Sequence, residues 1–99
     1  MKEGEFVIDR AEGDKMILVS KHSVPSDEWV VKEGQYGEQT VWDFNSRYPY
    51  CNPSDPVCKC VYLGYAPFEP LGLSRLERAN KLQEMDTEDI EYAFPITRI

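Results

Sequence analysis

The stretch "VCKCVYLGY", residues 57–65, decides how this chain is read. Apolar, aromatic and thiol side chains run from Val57 to Leu63 around a single lysine, Lys59, which is the pattern of an apolar strand. On an extended backbone Cys58, Cys60 and Tyr62 share one face, and Val57, Lys59, Val61 and Leu63 share the other. Upstream, "RYPYCNPSDP" has prolines at 49, 53 and 56, which remove three backbone donors and turn Tyr48, Asn52 and Asp55 away from helical geometry. That segment is expected to be an ordered, extended loop.

Further out on the same side, Thr40 and Asp43 in "TVWDFN" have capping-box spacing, so a short helical turn is expected at about 41–46. "KEGQYGEQ", residues 32–39, has two glycines and no apolar period and reads as a polar loop. "PSDEWVV", residues 25–31, reads as a short helical turn or capped corner leading into Trp29. At the start, the β-branched runs "EFVID" and "KMILVSK" flank the linker "RAEGD" and read as a hairpin.

Downstream, Ser74 and Glu77 form a capping box at the head of "SRLERANKLQEM". This predicts a main helix at about 75–85, with Leu76, Ala79, Leu82 and Met85 on an apolar stripe. In "IEYAF", Ile90, Tyr92 and Phe94 alternate with Glu91 and Ala93, as in a half-buried strand stopped by Pro95. The whole predicts an α+β fold: a small, mostly antiparallel sheet of about four strands with one main helix, in a single domain spanning residues 1–99.

Composition narrows the function classes. Hydrophobic residues make up 41% of the chain, which is enough for a folded core despite a net charge of -7. Eighteen carboxylates against eleven Lys and Arg set up a field that repels phosphate backbones and anionic lipid, so neither nucleic acid nor a membrane is expected as partner. No run approaches the ~18 apolar residues of a membrane span, and "MKEGEFVIDR" lacks the apolar stretch of a signal peptide, so a cytoplasmic protein is expected.

"DEWVV", "TVWDFNSRYP", "DPVCKCVYL" and "IEYAFPITRI" together resemble a group of small acidic haloarchaeal proteins of unknown function. The resemblance spans most of the chain and implies a salt-loving cytoplasmic origin and one compact domain. It implies no activity and no site residues. The chain departs from that pattern in having thiols at 58 and 60.

The thiols Cys51, Cys58 and Cys60 are spaced C-x6-C-x-C, without the two short-loop pairs of a structural zinc site, and His22 is the one imidazole that could be a fourth ligand. A metal- or thiol-dependent protein using these residues is therefore the second reading, and buried packing of the thiols is preferred. A catalytic Cys–His pair would rest on the same histidine, and no phosphate loop, dinucleotide fingerprint or metalloprotease motif is present, so a small-molecule enzyme ranks third and no cofactor is expected. The acids of "DTEDIE" read as a solvated face, and "GQYG" beside Glu33 and Glu38 is no nucleic-acid clamp.

The aromatic loop "VWDFNSRYPY" carries more. Trp42 and Phe44 are expected to fill the core, while Arg47, Tyr48 and Tyr50 are of the residue types that anchor protein interfaces. "FPITRI" reads as a docked final strand rather than a recognition tail around Arg98. The leading reading is a non-catalytic protein-binding or interaction module, with a protein partner or a second copy of itself, and with Arg47, Tyr48 and Tyr50 as the partner-binding residues.

Overall fold

In a computed structural model that describes residues 1–99, strands β1 (Phe6–Ile8), β2 (Lys15–Pro25), β5 (Pro56–Tyr62) and β6 (Tyr92–Pro95) form one sheet in the order β1-β2-β5-β6. Every neighbouring pair is antiparallel. The expected α+β architecture is therefore present, with β5 between two neighbours. Val57, Cys58, Cys60 and Val61 are all fully buried, because each face of β5 has its own cover. Cys58 and Cys60 join Val7, Met16, Leu18 and Phe94 on the inner face of the curled sheet, with Tyr62 and Ile99 against them. Val61 joins Ile17 and Leu82 on the outer face, beneath Leu63, Ala66, Phe68 and Ile90. Burying such aliphatic side chains is worth about 1.5–3 kcal/mol each, so the double-sided strand is the main source of stability.

The expected hairpin is β1 and β2, with Val7 opposite Met16. Its turn is tied by Asp9, whose Oδ1 accepts from the N–H groups of Ala11 at 2.9 Å and Glu12 at 3.4 Å. Beyond Leu18 the β2 ladder shifts register, from Leu18 opposite Cys60 to Ser20 opposite Lys59. This bulge brings Val19 and Ser20 to the same face and moves everything after them across the sheet.

Helix α1 (Arg75–Glu84) starts at the expected reciprocal capping box of Ser74 and Glu77. Its buried face is rotated from the expected stripe: Arg78, Ala79 and Leu82 are inside, whereas Leu76 is 58% exposed and Met85 is on the surface. The cause lies in the N-terminal segment. Arg78 Nε donates to the Gly4 carbonyl at 2.7 Å, its guanidinium lies 4.0 Å above the Phe6 ring, and Arg75 Nη1 donates to the Glu3 carbonyl at 2.7 Å. Gly4 sits so close that an added Cβ would lie 2.2 Å from the Arg75 carbonyl oxygen. Three arginine contacts and a glycine approach thus set the helix rotation, and apolar periodicity does not.

Three expectations are corrected between β2 and β5. Residues 32–39 are not a loop but most of an antiparallel ribbon, β3 (Val30–Gly34) with β4 (Gly37–Thr40), turned at Gln35–Tyr36 with Gly37 at φ +92°. Its polar sequence hid it because the ribbon has no buried face: every residue of β3 is exposed.

Residues 41–46 do not form a helix. The Thr40–Asp43 cap does form, with Asp43 Oδ2 accepting from the Thr40 N–H at 2.7 Å. The chain then runs through successive turns, with Asn45 N–H bonded to the Trp42 carbonyl and Tyr48 N–H to the Asn45 carbonyl. The Val41 carbonyl that a helix would offer to the Asn45 N–H is taken by the Asn45 side-chain amide at 2.7 Å, which is the competition that keeps asparagine out of helix interiors. Val41 and Asn45 consequently turn inward, while Trp42 is half-buried and Phe44 is 48% exposed, so these two aromatics do not fill the core as expected. Ile90, expected to share a strand face with Tyr92 and Phe94, instead belongs to a 3-10 turn (Glu88–Ile90) and packs on the outer face. No helix of the chain is long and apolar enough to cross a membrane.

Candidate functional site

A cleft of about 730 Å³ lies between the ribbon, the turns that follow it, and β6. One wall is Trp29, Val30 and Val31; another is Phe44 and Arg47; the third is Tyr92, Ala93 and Phe94, with Glu88 and Glu91 before them. Consecutive strand residues point to opposite faces, so a cleft that touches Tyr92, Ala93 and Phe94 together runs along the edge of β6 rather than over a face. β6 is the last strand of its sheet, and its ladder is to β5 alone.

The floor is a buried polar network. Arg98, in a 3-10 turn after β6, donates from Nε to Asp9 Oδ1 at 3.0 Å and from Nη2 to Asp9 Oδ2 at 3.1 Å. Its Nη1 donates to Asn45 Oδ1 at 2.9 Å, and Tyr62 Oη donates to Asp9 Oδ2 at 2.8 Å. The Arg10 N–H bonds the Arg98 carbonyl at 2.8 Å. This fork-to-fork pair therefore ties the end of the chain to the first hairpin and closes the curl of the sheet. Burial would raise the Asp9 carboxyl, but the hydrogen bonds from Arg98, Tyr62 and the Ala11 N–H, with the Arg98 charge, hold it below the usual carboxylate range. Burial, and then the hydrogen bond to Asp9, push the Tyr62 phenol up. The expectation that "FPITRI" docks holds, in a turn instead of a strand.

Of the three residues expected at an interface, Arg47 lines the cleft. Tyr48 and Tyr50 stand behind it, stacked on each other with ring centroids 5.8 Å apart. The Arg98 guanidinium lies 5.1 Å from the Tyr48 ring, Arg10 lies 4.0 Å over Tyr50, and Arg47 Nη2 donates to Tyr48 Oη at 2.8 Å. These tyrosines are half-buried and hold arginines in place.

The thiols and His22 are not gathered. Cys58 and Cys60 lie in the inner core, Cys51 is buried in the preceding loop outside that cluster, and His22 is across the sheet because the bulge at Val19 and Ser20 moved it there. No group of three or more His, Cys, Asp or Glu side chains is placed to hold a metal ion. Cys60 holds its proton more tightly than an ordinary cysteine, through its hydrogen bond with Cys58 and then burial, which disfavours a thiolate there.

On the outer face, His22 Nε2 lies 2.8 Å from Ser20 Oγ, in a second cleft of about 490 Å³ with Lys59, Glu91 and Thr87. The imidazole packs on Trp29 at 4.8 Å and no carboxylate hydrogen-bonds it, so the pair lacks the orienting acid of a hydrolytic triad. Lys59 bridges to Glu91 at 3.6 Å between the two clefts.

Sequence reading missed the Asp9–Arg98–Asn45 hub, because the partners are 53 and 89 residues apart and each is an ordinary surface residue type. It also missed Val30, Val31 and Tyr92 as cleft residues, although "WVV" inside a polar stretch was the available signal. Searches against protein-family models, curated proteins and solved structures find no match to this chain.

Proposed function

We propose that this chain is a non-catalytic protein-binding module whose binding surface is the cleft along β6. The observation that carries the reading is the 730 Å³ cleft itself, walled by Trp29, Val30, Val31, Phe44 and Tyr92 beside a strand edge. Val31, Phe44 and Tyr92 are 45%, 48% and 53% exposed, an apolar cluster of the kind that marks contact sites on small domains. Arg47 is the contact residue at one end. Tyr48 and Tyr50 support it from behind, so the aromatic loop serves the interface by positioning arginines. The net charge of -7 supports a protein partner over nucleic acid, and fits a surface kept hydrated in a salt-rich cytoplasm.

The test is selection of a random peptide library displayed on phage, run in parallel against the wild type and against a Val31→Glu/Phe44→Glu variant. Both substituted residues are exposed, so the variant should melt like the wild type. Enrichment on the wild type alone supports the module. Equal enrichment on both, or none on either, sinks it.

A further inference from the structure

Resting on that reading, we infer that the cleft takes an extended peptide as an added antiparallel strand on β6, with acidic side chains at the peptide's N-terminal end and basic ones at its C-terminal end.

Three observations combine. First, β6 is a strand edge: its only ladder is to β5, and outside that ladder Tyr92, Ala93 and Phe94 have no backbone hydrogen bond, while Pro95 has no N–H and its carbonyl heads the 3-10 turn Ile96–Arg98. Such an edge is a template for another strand unless it is covered, and here it opens into the cleft. Second, the side chains above and below that edge are apolar: Tyr92 and Phe94 on one side, Ala93 on the other, with Trp29, Val30 and Val31 across the gap. An added strand would set its alternating residues against these walls. Third, the charges are ordered along β6. Glu88 and Glu91 precede the strand, while Arg47 stands beside Arg98, which follows it, their guanidiniums 5.0 and 5.1 Å from the same Tyr48 ring. Glu91 is engaged by Lys59 and Thr87, and Arg98 by Asp9, which leaves Glu88 and Arg47 as the charges facing a ligand. An antiparallel strand enters at the Arg47 end and leaves at the Glu88 end, which fixes the polarity stated above.

The occupant is a peptide segment of another protein. A second copy pairing through its own β6 would have to bring its ribbon and turns 41–47 into a cleft that is already walled on three sides by the same elements.

The test uses random octapeptides selected on phage against the full chain, with the winners synthesised and their binding followed by tryptophan fluorescence, since Trp29 lines the cleft. The expected winners alternate apolar residues, carry Asp or Glu early and Lys or Arg late, and lose at least about tenfold in affinity when N-methylated at every second position of one alternation but not of the other. Arg47→Glu should reverse the early charge preference from acidic to basic. Winners that need the cleft but tolerate N-methylation in both alternations overturn strand addition and leave the binding module standing. Winners without charge order, or unchanged in Arg47→Glu, overturn the polarity. No enrichment over the Val31→Glu/Phe44→Glu control overturns both readings. A concentration-dependent dimer in sedimentation, dissolved by Tyr92→Lys, would make the occupant a second copy and overturn the choice of partner.

Discussion

The central sheet and the β3–β4 ribbon are built on the same antiparallel ladder and differ in what lies against them. In β5, four of seven residues are fully buried, whereas no residue of β3 is buried at all. The ribbon is anchored at its base, where the Val41 N–H bonds the Trp29 carbonyl at 2.9 Å and the Trp42 N–H bonds the Ser26 carbonyl at 3.0 Å. A two-stranded ribbon without a packed face is marginal in water, so this one is expected to open locally far below the free energy of global unfolding. The sheet therefore supplies stability, and the ribbon supplies an adjustable wall for the cleft. That contrast makes the predictions sharp, since a lesion in one region should leave the other nearly untouched.

The largest effect is expected from Arg98→Ala, which strands Asp9 in a fully buried site. Breaking a buried pair from one side costs about 3–5 kcal/mol. Urea titration should show that loss, with Asp9→Asn/Arg98→Met recovering much of it; a cost under 1 kcal/mol would mean the sheet does not need its closure. Acid titration reports on the same pair. Asp9 titrates below its unfolded value of about 4, so its contribution is present above that pH and is lost as pH falls through the folded value. The acid limb of the stability curve below about pH 4 should flatten in Arg98→Ala.

Next comes a pair of glycines in the same left-handed conformation. Gly4 at φ +87° faces the helix backbone, while Gly37 at φ +92° has nothing near its missing Cβ. Gly4→Ala should cost about 3–5 kcal/mol from strain plus overpacking. Gly37→Ala should cost about 1–2 kcal/mol, confined to ribbon amides in hydrogen exchange. Equal effects on the melting temperature would show the ribbon to be part of the cooperative core.

Replacing Cys58 or Cys60 by alanine should cost only packing, about 1 kcal/mol per site for so small a side chain, with the fold retained in chelator. Unfolding in chelator, with loss of a zinc mass in native mass spectrometry, would revive the metal reading.

The smallest effect lies on the ribbon, where Glu33 stands directly opposite Glu38. Like charges in that position repel, so Glu38→Lys should gain a few tenths of a kcal/mol in ribbon amide protection. Molar potassium chloride should raise the melting temperature of the wild type by screening its eighteen acids, and raise it less in Glu38→Lys. A melting temperature that stays flat with salt would remove the argument from surface repulsion.

Legibility followed the range of the forces involved. The first hairpin, the double-sided β5 and the Ser74–Glu77 cap rest on alternation and on contacts between near neighbours, which a sequence displays directly. The candidate site is less legible. Arg47 could be singled out by residue type, but the cleft requires Val31, Phe44 and Tyr92 to meet from three segments, and no local pattern announces that. The turns at 41–47 misled because Thr40 and Asp43 do cap, while Asn45, two residues further on, diverts the carbonyl that the next helical bond needs.

By itself, then, the sequence determined the α+β composition, the inner face shared by Cys58, Cys60 and Tyr62, and where α1 begins, because burial alternation and end-capping are short-range rules. Tertiary structure alone decided the rest. The bulge at Val19 and Ser20 put His22 across the sheet from the thiols, Gly4 and Arg78 set which face of α1 is buried, and Arg98 reached back to Asp9 to close the curl. Each is a single long-range hydrogen bond, register slip or close approach, and such contacts form only once the strands have paired.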